Sequence, residues 1–366
     1  MMRCECDRLA LLEALAATTS VTPTRTTKPI LECVRFTAEP NAIVLTAYDQ
    51  EVGLRYRVPQ VEVSEAGETL VRASRLFAIV RESIDERLAF EATEDLLHIR
   101  GSDSHFQIVG QNVREFPPVP ELEGEPSFSV RVEALRKAVE QTRFAAAREN
   151  TRYAINGVLW EQKGKRVQLV ATDGRRLALS VAPIEKTSGQ DGVRAIVPTK
   201  ALDVFGRLHL DADELIEVRI GANQVVMRSE QVTISSVLVE GHFPKYEDVI
   251  PRDQDKQVTL KTVEFLSAVR RVALLANAES KGIRLALSKD GMVLSSRTPE
   301  QGEATVSVKM EYAGADIAIG FNPEFIADAL KVCEETATFE LKEASRPGVI
   351  TSGPNFKYVL MPVNLS

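Results

Sequence analysis

Only four cysteines occur in this chain of 366 residues, and no two of Cys4, Cys6, Cys33 and Cys333 stand in the Cys-x-x-Cys spacing of a zinc or redox site. Histidine is equally scarce, and His98, His105, His209 and His242 form no ligand cluster with those thiols. A disulfide scaffold and structural zinc are thereby excluded, and a reduced, cytoplasmic protein without metal or cofactor is predicted. No stretch approaches the roughly 18 apolar residues of a membrane span. The N-terminal apolar segment is broken by Glu13 and is followed by no small-residue cleavage site, so nothing anchors or exports the chain. Catalytic signatures are missing too: no Gly-x-x-x-x-Gly-Lys-Ser/Thr loop, no Gly-x-Gly-x-x-Gly, no His-Glu-x-x-His and no Gly-x-Ser-x-Gly. Nor is there a surplus of positive charge. With 45 Lys and Arg against 52 Asp and Glu, the net charge is -7, which excludes a surface that is basic all over. Any contact with nucleic acid must come from a localised basic face.

What is present is one segment plan, three times over, about 124 residues apart. Each copy opens with an amphipathic helix, at Asp7–Leu15, Val132–Val139 and Thr262–Arg270. Short strands follow and enter a bend, at Val44–Asp49, Leu169–Gly174 and Val293–Pro299. A second helix lies at Ser74–Val80, Thr199–Phe205 and Pro323–Leu330, and alternating strands close each copy. Units of this size are domains, each with its own core. The helix-plus-strands half occurs twice per copy, so the chain reads as an α+β protein of six half-domains in series. Proline and acid clusters at Phe116–Pro126 and Phe243–Asp253 mark the linkers, which proline's missing donor predicts to be extended and straight.

The helices carry a recurring charge pattern. Arg136 and Arg143 are spaced to share a helix face opposite Val132, Leu135 and Val139, and Lys200 and Arg207 have the same spacing on a matching helix. Arg75, Arg81, Arg270, Arg271 and Lys331 add basic positions on equivalent helices. For any single helix a solvated face is the plainer reading. Recurrence in a net-acidic chain favours a basic stripe suited to a phosphate backbone. Asp173 and Gly174 read as a hairpin turn rather than a catalytic group. Asp211 and Asp213 read as a solvated turn rather than a metal pair. A binding protein is the outcome favoured by these readings. A nucleic-acid-binding protein that forms no ring and an enzyme of nucleotide metabolism are the alternatives.

Six ordered stretches carry a resemblance to a known family: Asn150–Glu161, Val170–Ala178, Gly241–Pro251, Thr298–Gln301, Ile319–Asn322 and Tyr358–Val363. Together they resemble the beta subunit, or sliding clamp, of bacterial DNA polymerase III, over the whole chain and in the right order. The resemblance implies three tandem DNA-clamp domains, at 1–125, 126–252 and 253–366. It also implies a head-to-tail homodimer whose six domains close a ring, with helices inside and sheets outside. Such a ring encircles duplex DNA without sequence preference and tethers a polymerase, itself catalysing nothing. The partners implied are the polymerase III alpha subunit, the clamp loader, translesion polymerases and repair proteins, held through short peptides, in a nucleoid-associated, cytoplasmic setting with no membrane.

Residue by residue, the same resemblance places Arg25, Arg148, Arg152 and Tyr153 where the family touches DNA, beside the helix positions Arg75, Arg81, Arg136, Lys137, Arg143, Lys200, Arg207, Arg270 and Lys331. Its partner pocket falls on Arg152, Ile155, Thr172, Gly174, Arg175, Arg176, Leu177, Pro244, Val249, Asn322, Phe325, Pro347, Val359, Leu360, Met361, Pro362 and Val363. Apolar walls with a flexible methionine suit a promiscuous peptide site, although Leu177, Val249, Val359 and Leu360 taken alone read equally as core. Ring closure falls on Phe106 and Ile108 of one subunit against Leu274 and Leu275 of the other. Three departures from the family pattern bear on partner choice and DNA contact: Ala154 where an aromatic is common, Glu149 where a neutral residue is familiar, and the tail Asn364-Leu365-Ser366.

Overall fold

The computed structural model describes residues 2–93, 95–120, 124–148, 154–188, 192–276, 282–298 and 302–364. The first third of the chain runs β1 (Met2–Asp7), α1 (Arg8–Thr19), β2 (Cys33–Glu39), β3 (Ala42–Tyr48), β4 (Val52–Val58), β5 (Val61–Glu65), β6 (Gly67–Arg72), α2 (Ala73–Glu82), β7 (Arg87–Ala92), β8 (Leu96–Arg100) and β9 (His105–Val109). The same order returns in β10 (Phe128–Arg131), α3 (Val132–Glu140), β11 (Gly157–Lys163), β12 (Arg166–Thr172), β13 (Arg176–Pro183), β14 (Lys186–Thr187), β15 (Arg194–Pro198), α4 (Thr199–Arg207), β16 (Leu215–Ile220), β17 (Gln224–Arg228) and β18 (Val232–Val237). A third round comprises β19 (Lys256–Lys261), α5 (Thr262–Ala273), β20 (Ile283–Ser288), β21 (Gly291–Thr298), β22 (Gly302–Val308), β23 (Ile317–Phe321), α6 (Pro323–Leu330), β24 (Thr336–Leu341), β25 (Gly348–Ser352) and β26 (Phe356–Leu360).

Contacts group these elements into two compact units that cut across the three rounds. The first unit takes Met1–Glu133, Ile184–Gln190 and Lys200–Leu238; the second takes Ala134–Pro183, Asp191–Thr199 and Val239–Ser366. Sheet pairing is the physical reason. Within the first unit, β18 pairs antiparallel with β4, which fuses strands of two rounds into a nine-stranded sheet of order β14-β10-β16-β17-β18-β4-β3-β2-β6. Its five-stranded sheet has the order β5-β1-β7-β8-β9. In the second unit β13 pairs with β26, giving an eight-stranded sheet of order β15-β11-β12-β13-β26-β25-β24-β19, beside a four-stranded sheet β22-β21-β20-β23.

Helix starts and cores follow from local chemistry. The Asp7 carboxylate accepts the Ala10 amide at 2.8 Å and caps α1, whose Leu11 and Leu15 are buried with Leu76 and Val80 of the adjoining α2. Phe36 and Phe90, with centroids 5.3 Å apart, lie in the same unit's core. In the second unit Asn322 caps α6 by accepting the Glu324 amide at 2.9 Å, α5 packs on α6, and Phe265, Phe339 and Phe321 form an aromatic chain at 6.2 and 5.6 Å. The thiols Cys4, Cys6 and Cys33 are buried and free, and burial pushes Cys4 up to about 12, so it stays protonated at neutral pH.

Two expectations need correction. α3 ends at Glu140 and Arg143 lies in a separate 3-10 turn, Arg143–Ala145, so Arg136 and Arg143 do not share one helix. The second linker is not straight: after Pro244 the chain folds into a 3-10 turn, Tyr246–Val249, because the ring of Tyr246 is drawn into the core. Its hydroxyl donates to Glu161 at 2.7 Å and accepts from the Lys163 ammonium at 3.0 Å.

Candidate functional site

The residues expected to form a partner pocket in the second unit are organised by the β12–β13 hairpin. Gly174 takes a φ of +86°, which a glycine accepts without a Cβ clash, and the Asp173 carboxylate accepts the amides of Arg175 and Arg176 at 3.0 and 3.1 Å. Thr172 closes the turn by donating to the Arg176 carbonyl at 2.6 Å. Beyond the turn, Leu177 pairs across to Val359. With Ile155, Val170, Phe243 and Tyr246 these two form one apolar cluster. Of the expected pocket set, two large apolar side chains are left to solvent, Val249 at 51% and Met361 at 44% exposed.

The chain end completes this region. The Met361 amide donates to the Arg175 carbonyl at 2.9 Å and the Val363 amide to the Gly320 carbonyl at 2.9 Å, so residues 361–363 run from the β13 hairpin to strand β23. Pro244, Phe325, Pro347, Pro362 and Val363 are half-buried, and Gly174 and Arg175 are exposed.

Three of the expected pocket residues are tied into the fold. Leu360 is fully buried and lies outside the apolar cluster, as its reading as core allowed. Arg176 has its guanidinium pinned by Asp173 at 3.0 Å, Asp328 at 2.8 Å and the Phe144 carbonyl at 2.9 Å, with the Phe325 ring 4.4 Å away. Burial works to raise the Asp328 carboxyl, but hydrogen bonds from Lys331 and Arg176 outweigh it and hold the group below the usual carboxylate range. Asp328, missed by the sequence reading, lies 152 residues from Arg176, and nothing local signals their meeting. Asn322 spends its side-chain oxygen on the α6 cap. Arg152 lies outside the described residues.

The basic positions divide into free and neutralised cations. Arg25, Arg75, Arg148, Arg207 and Arg270 are exposed and make no ion pair among the described residues. Lys200 is held by Asp49 at 2.5 Å and Glu51 at 3.0 Å, Lys137 by Glu334 at 2.6 Å, Lys331 by Asp328 at 2.7 Å and Arg81 by Glu82 at 2.9 Å. Arg136 is half-buried, Arg143 is exposed, and Tyr153 lies with Arg152 outside the described residues. Asp211 accepts the Asp213 amide at 2.9 Å, the turn expected of that pair.

Three models of the DNA polymerase III beta subunit match in order along the chain: the N-terminal domain over residues 2–120, the central domain over 129–245 and the C-terminal domain over 247–364. The chain belongs to the DNA polymerase III beta subunit family. A beta sliding clamp of Pseudomonas aeruginosa is 34% identical over 363 residues, covering 98% of this chain and 99% of that protein. The beta sliding clamp of Escherichia coli K12 is 29% identical over 369 residues, covering all of both. Among solved structures, a DNA polymerase sliding clamp from Pseudomonas aeruginosa with ligand matches with a TM-score of 0.92 at 32% identity over the whole of both chains. The beta subunit from Thermotoga maritima matches with a TM-score of 0.91 at 26% identity, again over both whole chains. Beta subunits are the non-catalytic clamp of the polymerase. In the clamp's own terms, Ile155, Thr172, Leu177 and Pro244 fall in the central domain and Val249, Phe325 and Val359–Val363 in the C-terminal domain.

Proposed function

We propose that two copies of this chain join head to tail into a ring that encircles duplex DNA and holds the polymerase, clamp loader and repair proteins by peptides seated in the Leu177–Val359–Met361 pocket. The observation that carries this reading is a pair of sheet edges that have no partner strand among the described residues. The fourth strand of one round meets the last strand of the next twice within the chain, as β4 with β18 and as β13 with β26. The fourth strand of the third round, β22, and the last strand of the first, β9, are the sheet-edge strands left in those roles. A second copy supplies what each lacks, and repetition of the same contact closes a two-subunit ring.

Internal symmetry also supplies a register. Hairpin β8–β9 begins with Arg100 opposite His105 and hairpin β17–β18 with Arg228 opposite Thr233, so Phe106 corresponds to Ile234, and by the β26 pairing to Tyr358. Ile234 lies opposite Leu54 and Tyr358 opposite Ala178. The inward residues Leu54 and Ala178 correspond to Ala304 in β22. Phe106 of one subunit therefore faces Ala304 of the other, with Gln107 beside Glu303. Ile234 and Tyr358 are 1% and 0% exposed, whereas Phe106 is 38% exposed, as a side chain awaiting its neighbour should be. α5 packs against β22 and is capped at its C-terminus by Leu274, which is 77% exposed, so the same contact brings Leu274 and Leu275 over Phe106 and Ile108.

Sedimentation tests the ring. Wild-type protein should run at twice 40.4 kDa, and Phe106→Asp at 40.4 kDa with its melting otherwise cooperative. A Phe106→Asp protein that keeps the doubled mass would remove β9 from the interface. Buried thiols and the absence, among the described residues, of any helix long and apolar enough to cross a membrane fit a place in the cytoplasm beside the nucleoid.

A further inference from the structure

At the chain end lies a cavity of about 410 Å³, walled by Ala318 and Ile319 of β23, by Ala344 and Ser345 of the β24–β25 turn, and by Pro362 and Val363. Pro362 and Val363 also belong to the expected partner-peptide set, and the Val363–Gly320 hydrogen bond fixes that terminal segment in place. Its lining contains a single charged residue, Arg284, from the outward face of β20. That guanidinium makes no ion pair among the described residues, although 52 acids are available in the chain. Ser345 and Asn364 add further polar groups at the rim. A guanidinium without a counter-ion, in a hollow holding no acid, is matched by a carboxylate, which can engage it through two parallel hydrogen bonds.

We propose that this cavity is an acidic-residue subsite for the partner peptides: a bound peptide whose apolar anchors fill the Leu177–Val359–Met361 pocket continues over Pro362 and places an Asp or Glu side chain on Arg284. The inference rests on the peptide-pocket reading above. It makes Arg284 a specificity residue that ranks partners by the charge of the segment flanking their anchors. The position has a physical logic. A clamp with net charge -7 repels acidic peptides at long range, and one exposed cation beside the chain end selects among those that reach it.

The test uses the full chain and a dye-labelled peptide of a glutamine head with leucine and phenylalanine anchors, made with Asp-Asp, Asn-Asn or Ser-Ser flanks on either side, read by fluorescence anisotropy. In wild type at low salt, one Asp-flanked peptide should bind about five- to tenfold tighter than its Asn-flanked isostere, and the gap should shrink as salt is raised. Arg284→Ala should close that gap while leaving the affinity for the Asn-flanked peptide as in wild type, which also shows that the fold is intact. Equal affinities for Asp and Asn flanks in wild type, or a gap that persists in Arg284→Ala, overturns the subsite. If no peptide binds wild type at all, the pocket reading itself fails and the subsite fails with it.

Discussion

Arg176 holds together three parts of the second unit: its own hairpin through Asp173, the helix α6 through Asp328 and the chain around Phe144. Truncation removes one partner from each carboxylate, while Lys331 still reaches Asp328 and two amides still reach Asp173. Arg176→Ala should lower the unfolding free energy by about 2–3 kcal/mol, read by urea denaturation, and Arg176→Lys should restore little because an ammonium cannot span the fork. A loss under about 1 kcal/mol would mean that solvent already screens the pairs. Asp328 adds a pH dependence of known sign. Its carboxyl is held below its ordinary value in the folded state, so its contribution is present above the unfolded value near 4 and is lost as pH falls through the lower, folded one. Thermal melts between about pH 5 and 2 should therefore fall less steeply for Asp328→Asn than for wild type. Equal slopes would sink the assignment. At this scale the sequence was half legible: Asp-Gly announced the turn that positions Arg176, but not that its side chain turns inward to an acid far along the chain.

Elements were more legible than their neighbours. The apolar period placed all six helices to within a few residues of where they fold, since amphipathic spacing is written locally. α3 shows the limit, as its periodic charges run on to Arg143 while the backbone tightens into a 3-10 turn. Pairings between rounds were not legible, because β13 and β26 lie far apart in the chain and each reads alone as an ordinary alternating strand. Packing at β25 gives this scale its own test. A Cβ added at Gly348 would lie 2.8 Å from Phe321 and 3.0 Å from Phe339, inside the aromatic chain behind the candidate pocket. Gly348→Ala should cost about 1–3 kcal/mol in stability by urea denaturation. A neutral substitution would show that the aromatic rings give way freely.

For the whole molecule, net charge and contact strength point the same way. A chain at -7 with a few free arginines cannot grip DNA tightly through phosphates, yet a closed ring has no need to, because it leaves only by opening or by running off an end. Weak, salt-screened contacts are then what permits sliding. The threefold plan was visible from spacing alone, whereas two-subunit closure becomes arguable once β9 and β22 are seen as unmatched sheet edges. The most direct measurement loads labelled protein onto a nicked circular DNA with its clamp loader, removes free protein, and compares retention before and after a single cut linearises the circle. Stable retention on the circle with rapid loss after linearisation is the predicted result; equal retention on both forms would contradict a topological link and leave an ordinary basic groove in its place.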